Sequence, residues 1–144
     1  MPQCYLLGLS AGSSLDQQSN NITLFNLVEQ VNVPPGAPPP PNNTLPLEIH
    51  AYFRLAPAEI GSSIEMRFAL VATSGLETFS EVVRHQCSTP RFRTRTFGVP
   101  FPPIVGHYEL RVDFRPSGTS SWSRDPLAWP LSVVEIDPKP RVTH

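Results

Sequence analysis

The clearest pattern in the chain is Leu47–Leu55, "LEIHAYFRL". Leu47, Ile49, Ala51, Phe53 and Leu55 fall in one phase, and Glu48, His50, Tyr52 and Arg54 in the other. Side chains of a strand point alternately to its two faces, so strict alternation predicts a strand with one buried and one wet face. Ile64–Ala72 repeats the pattern, with Ile64, Met66, Phe68, Leu70 and Ala72 inward and Glu65 and Arg67 outward. His107–Arg115 does so again: Tyr108, Leu110, Val112 and Phe114 inward, His107, Glu109, Arg111, Asp113 and Arg115 outward. Three strands of this kind predict antiparallel sheets with a solvated face.

Less regular runs fill the intervals. Cys4–Leu9 is apolar in both phases, which predicts a central or covered strand. Ile22–Val33, "ITLFNLVEQVNV", carries Phe25, Leu27 and Val31 in one phase and Ile22, Leu24 and Val28 in the other. It reads as a strand with two apolar faces or one bent at a bulge, and a helix over Leu24–Val31 is the alternative. Thr78–Cys87, Arg91–Phe97 and Leu131–Ile136 complete eight predicted strands. Turn residues separate them at Ser62-Ser63, Ser74-Gly75, Pro90, Gly98, Pro102-Pro103, Gly106 and "PSGTSS". Short strands at this spacing predict an all-β fold. The expected form is a single antiparallel β-sandwich of seven to eight strands, immunoglobulin-like or Greek-key, with little helix; a closed barrel is the alternative.

Length and composition agree with that picture. The 144 residues fit one domain, 1–144, and a chain of this size holds a core without metal or disulfide staples. Apolar residues make up 40%, charged residues 16%, and the net charge is −1. This balance predicts no general attraction to nucleic acid or membrane surfaces. The eighteen prolines suit short strands and stiff loops. No apolar run approaches the length of a membrane-spanning helix, and the N-terminus lacks the charged start of a signal peptide. A cytoplasmic protein is expected, with Cys4 and Cys87 as buried reduced thiols. The segment 33–46, "VPPGAPPPPNNTLP", holds seven prolines in fourteen residues. It reads as a stiff crossover loop, tethered at both ends, rather than as a polyproline docking segment. The tail 137–144 is expected to be short and flexible.

Candidate chemistry is sparse. Gly8-Leu9-Ser10-Ala11-Gly12 matches G-x-S-x-G, the nucleophile-elbow pattern. An elbow needs a helix after its serine, and "SSLDQQSNN" is too short and polar to supply one. In the order serine, acid, histidine, only His107 or His144 is considered as the base, and both are poorly placed. Ser10 is therefore read as a strand-end residue, with the two glycines allowing a tight turn. His50, His85, His107 and His144 are scattered, with none of the spacings of a metal site, and are read as solvated surface residues. No metal, cofactor or catalytic residue is expected, and the chain is read as a non-enzyme.

One cluster invites a binding reading. In "RFRTRTF" the guanidinium groups of Arg91, Arg93 and Arg95 share a face about 7 Å apart, with Arg84 and His85 nearby in sequence. They could clamp phosphate or carboxylate groups. The plainer reading is an edge strand guarded by charge, with Glu65, Glu81 or Glu109 as cross-strand partners. Phe92 falls on the opposite face, which disfavours base stacking.

Two stretches carry a resemblance. In "SSLDQQSNNITLFNLVEQVNVP", Asp16, Asn21, Thr23, Leu24, Phe25, Asn26, Leu27, Val28 and Glu29 resemble the opening of a family of small bacterial β-sandwich proteins of unknown function. "FGVPFPPIVGHYELRVDF" is similar to that family's penultimate strand. The resemblance implies a compact sandwich in a bacterial cytoplasm and brings no catalytic residue with it. The leading functional expectation is a protein–protein interaction or accessory module, self-associating or bound to another subunit, with Phe25, Leu27 and Val31 as its interface. The alternative is an anion- or nucleic-acid-binding module using Arg84, Arg91, Arg93 and Arg95.

Overall fold

The computed structural model describes residues 1–36, 38 and 43–136. They form eleven strands: β1 (Gln3–Leu15), β2 (Ile22–Leu27), β3 (Gln30–Val33), β4 (Thr44–Arg54), β5 (Ser63–Ala72), β6 (Glu77–Phe79), β7 (Val83–Gln86), β8 (Arg91–Pro100), β9 (Gly106–Pro116), β10 (Ser123–Arg124) and β11 (Trp129–Glu135). One sheet has the order β2-β1-β4-β8. The other has the order β3-β11-β9-β5-β6, with β7 also on β5 and β10 also on β9. The chain changes sheet between β2 and β3, β3 and β4, β4 and β5, β7 and β8, and β8 and β9. The result is the all-β sandwich that the alternating runs predict.

The inward phases of those runs build the core. Ile49, Ala51 and Phe53 of β4 meet Leu70 of β5 and Leu110, Val112 and Phe114 of β9 in one buried cluster. Phe53 ties the two sheets together, with its ring 4.7 Å from Phe92 and 5.2 Å from Phe114. Tyr108 opens β9 by donating its hydroxyl to the Ile104 carbonyl. That bond pins the crossing from β8, as a tyrosine corner does in Greek-key sandwiches.

The strand count exceeds seven to eight because two runs are each divided and a two-residue strand, β10, completes the set. Thr78–Cys87 divides into β6 and β7 around Ser80, whose N–H donates to Phe68 O at 2.9 Å. Ile22–Val33 divides at Asn26, which sits in the left-handed region at φ 51°. The chain leaves the first sheet just beyond it, after Val28. Val28 N–H donates to Leu9 O at 2.9 Å, and Glu29 O accepts from Ser132 N–H at 2.8 Å in the second sheet. The mixed apolar phases of "ITLFNLVEQVNV" therefore serve two sheets in turn. β3 enters beside β11 running the same way, so the sandwich has one parallel pair where only antiparallel pairing was expected.

β1 also departs from expectation. It does not turn at the glycines but runs on to Leu15. Gly8 and Gly12 are mid-strand positions where neighbours come close. A Cβ on Gly8 would lie 3.7 Å from the Trp129 ring, and one on Gly12 would lie 3.9 Å from Glu48 Oε2. The proline run links β3 of one sheet to β4 of the other, although 37 and 39–42 lie outside the described residues, as does the tail 137–144.

Candidate functional site

The site lies on the outer face of the β2-β1-β4-β8 sheet. Asp16 builds the β1–β2 turn. Its carboxylate accepts from Gln18 N–H at 3.0 Å and from Ser19 Oγ at 2.9 Å, and the bond from Gln18 holds its pKa below the ordinary value. The turn is exposed but tied back to the sheet. Arg93 of β8 donates from Nη1 to Asn20 O at 2.8 Å. Because β4 separates β1 from β8, the hairpin must curl across β4 to make that bond.

Beneath the hairpin, residues of the wet phase are buried. Glu48 is 2% and His50 1% exposed, and Ser10 is fully buried. This corrects the reading of His50 as a surface histidine: alternation assigns the face but not what lies over it. Ser10 Oγ donates to Gly12 O at 3.0 Å and so accepts from His50 Nε2, also at 3.0 Å. That fixes the tautomer and leaves Nδ1 buried with no partner among the described residues. Glu48 Oε1 accepts from Ser13 Oγ at 2.8 Å and from Arg95 Nε, and it lies 3.6 Å from His50 Nε2. The Arg95 bond holds the Glu48 carboxyl below the usual carboxylate range.

Serine, histidine and carboxylate thus meet, with His50 in the place where only His107 or His144 was considered. The geometry is not that of a nucleophile triad. Hydroxyl and acid approach the same imidazole nitrogen, whereas a triad needs them on opposite nitrogens. Ser10 also sits in a continuous strand rather than a strand-to-helix elbow.

The cluster predicts a pH effect on stability. Burial pushes the His50 pKa below its ordinary value, with the Glu48 charge pulling the other way. The unfolded chain therefore binds more protons below about pH 6.5. Stability is at its fullest above that pH and falls as pH drops through the interval below it. His85, also lowered by burial, acts in the same direction. Urea midpoints should fall between pH 7.5 and 5.5, and His50→Gln should flatten that slope without abolishing it.

Next to the cluster lies a groove of about 600 Å³ bordered by Tyr5, Asn20, Tyr52, Arg91 and Arg93. The Tyr5 and Tyr52 rings meet edge-on at 6.0 Å. Arg54 lies 4.9 Å over Tyr5, and Arg93 lies 5.8 Å over Tyr52. The register sets Arg54 directly opposite Arg91 and Tyr52 opposite Arg93. Among the described residues, none of Arg54, Arg91 and Arg93 makes an ion pair. Like charges directly opposite each other in a ladder are destabilising, so this arrangement costs stability.

Arg91, Arg93 and Arg95 do share one face, and Phe92 takes the other, stacked on His85 at 4.0 Å. β8 is the edge strand anticipated for them. The proposed carboxylate partners are elsewhere: Arg95 takes Glu48, while Glu65 binds Arg115 at 2.7 Å. Arg84 stands apart from the row, on β7 of the other sheet, 3.8 Å from Glu65. Tyr5, Tyr52 and Arg54 were missed as site residues. Tyr52 and Arg54 were read as outward, but only the β4–β8 register brings them to the arginines. The expected interface also divides. Phe25 and Leu27 are exposed on β2, while Val31 packs against the core from β3.

Cys4 and Cys87 are buried free thiols, and burial pushes Cys4 up to about 11. Among the described residues no three His, Cys, Asp or Glu side chains gather as a metal site, and no helix is long and apolar enough to cross a membrane. Neither protein-family models nor curated proteins give any match to the chain.

Proposed function

We propose that this sandwich is a protein-binding module that takes an anionic stretch of its partner into the Tyr5–Tyr52–Arg91–Arg93 groove. The observation that carries the reading is the facing pair Arg54 and Arg91, with Arg93 beside it and, among the described residues, no carboxylate paired with any of the three. A carboxylate or phosphate between these groups replaces repulsion by charge-assisted hydrogen bonds. The tyrosines give the ligand a wall that needs little ordering on binding. The reading takes the chain to act without chemistry of its own, in a bacterial cytoplasm, as the resemblance of Asp16–Glu29 implies.

Single-stranded nucleic acid is the second reading, because Tyr5 and Tyr52 now stand among the arginines on one face. The overall charge of −1 and pI near 6.4 favour protein, since nucleic-acid domains carry a broad basic footprint.

The test is titration with a decaglutamate peptide and with a dT20 oligonucleotide at about 150 mM salt. Two lost charge-assisted bonds, each about 1.5–3 kcal/mol, should weaken peptide binding by a hundredfold or more when Arg54, Arg91 and Arg93 become glutamine. Unliganded Arg54→Gln with Arg91→Gln, which leaves the Arg93–Asn20 bond in place, should melt no lower than the wild type, because repulsion has been removed. Equal peptide binding by both proteins, or none by the wild type, overturns the reading; tighter binding of the oligonucleotide than of the peptide transfers it to nucleic acid.

A further inference from the structure

The arginine row lies on a strand with a free side. β8 ends its sheet, and among the described residues no strand pairs with it beyond β4. Such an edge presents unpaired N–H and C=O groups along its length. Past Phe97 the register with β4 shifts and Gly98 sits at φ 98°, so the regularly alternating stretch of this edge ends at Phe97.

Along this edge the sandwich is open. Two adjoining hollows of about 440 and 580 Å³ share Ser80, Glu81, Val83, Thr96 and Phe97, and the Glu81 carboxylate on this side disfavours acidic side chains entering them. Met66 and Phe68, each 3% exposed, border the first. The rim is apolar and wet: Phe97 is 72%, Val83 53% and Phe79 43% exposed. Apolar surface of this kind beside a free edge marks an interaction site.

The structure assigns to this edge an extended segment of a partner protein, added to the sheet beside β8, with acidic residues alternating with apolar ones. The assignment rests on the anion-binding reading above and adds the backbone register and the second face. A strand laid on β8 continues its pleat, so its side chains alternate between the same two faces. On the outer face they stand beside Arg91, Arg93 and Arg95, within the 4.5–5.5 Å of cross-strand neighbours. On the inner face they stand beside Phe92, Thr94 and Thr96 and enter the hollows towards Met66 and Phe68. Acid outside and apolar inside is the pattern that satisfies both.

Other occupants fit less well. In a symmetric antiparallel pair of β8 strands, keeping both inner faces on one side sets arginines opposite arginines. Shifting the register by one residue avoids that only by turning one sandwich inside out relative to the other. The chain's own segments outside the described residues do not carry the pattern: 37 and 39–42 are mostly proline, which cannot donate to a ladder, and 137–144 contains Lys139 and Arg141.

Three ten-residue peptides test the assignment by calorimetry: alternating Glu-Val, the same composition as a Glu block followed by a Val block, and the alternating peptide N-methylated at every amide, so that no N–H can face β8. The alternating peptide should bind at least tenfold more tightly than either of the others. It should also slow amide exchange along 91–97, and Phe97→Glu should weaken it without lowering the melting temperature. Equal affinity for the alternating and block peptides overturns the strand assignment and leaves the anion groove standing. Full affinity of the N-methylated peptide overturns it too, because backbone pairing is then not used. Failure of all three peptides and of decaglutamate removes both readings together.

Discussion

Phe53→Ala is expected to destabilise the fold by about 3–5 kcal/mol, the usual cost of removing a fully buried aromatic ring from a core. Phe53 is wholly inaccessible to solvent. Its ring is the link from β4 to Phe92 of β8 on one side and to Phe114 of β9 on the other. Rigid strands on both sides limit how far the space can close, so both the lost transfer energy and the cavity count against the variant. Single domains hold about 5–15 kcal/mol in all, and this one change would remove a large part of it. The urea midpoint should drop sharply with the m-value unchanged. Phe97→Ala, at the mostly exposed rim of the β8 edge, should shift stability by no more than about 0.5 kcal/mol. A Phe53→Ala loss below about 1.5 kcal/mol would mean that the two sheets are not joined through this ring.

Alternation in Leu47–Leu55, Ile64–Ala72 and His107–Arg115 made the two-layer fold legible because each of those strands keeps one face in the core throughout. It failed where a strand changes surroundings along its length. Ile22–Val33 serves two sheets, and its inward apolar residues change phase between Val28 and Val31, where the backbone passes from the first sheet to the second. His50 and Glu48 keep the polar phase of β4 yet are buried, because a hairpin two strands long curls over them. That curl depends on Arg93 reaching Asn20 across 73 residues of sequence, a contact no local pattern announces. The arginine row was legible, since its spacing is local. Its partners Tyr5, Tyr52 and Arg54 were not, since they join it only through the β1–β4 and β4–β8 registers. The tilt from an apolar interface towards an arginine groove comes from those registers.

The same dependence on register makes Asp113 a sensitive position on the opposite sheet. It reads as an outward residue of β9, yet it is 1% exposed. Its carboxylate accepts from Arg67 Nε at 3.0 Å, from Arg124 Nε at 2.8 Å and from Arg124 Nη2 at 3.2 Å. Arg67 in turn lies 4.3 Å over Trp122, whose ring Arg115 also covers at 4.1 Å. Asp113→Ala leaves two guanidinium groups without their buried acceptor. Breaking a buried pair from one side costs about 3–5 kcal/mol. The lower end applies here, because Arg67 and Arg124 are 21% and 30% exposed and water can reach them, and Glu77 still accepts from Arg124. A loss of about 3 kcal/mol is therefore expected in Asp113→Ala, and a smaller one in Asp113→Asn, which keeps an acceptor of the same shape. Replacing all three members with apolar residues of similar volume, as Asp113→Leu with Arg67→Met and Arg124→Met, should recover most of the loss, because no unpaired charge remains. Urea unfolding of the four proteins separates the cases. If the triple variant is as unstable as Asp113→Ala, the carboxylate acts through the shape of the β9–β10 pairing rather than through its charge.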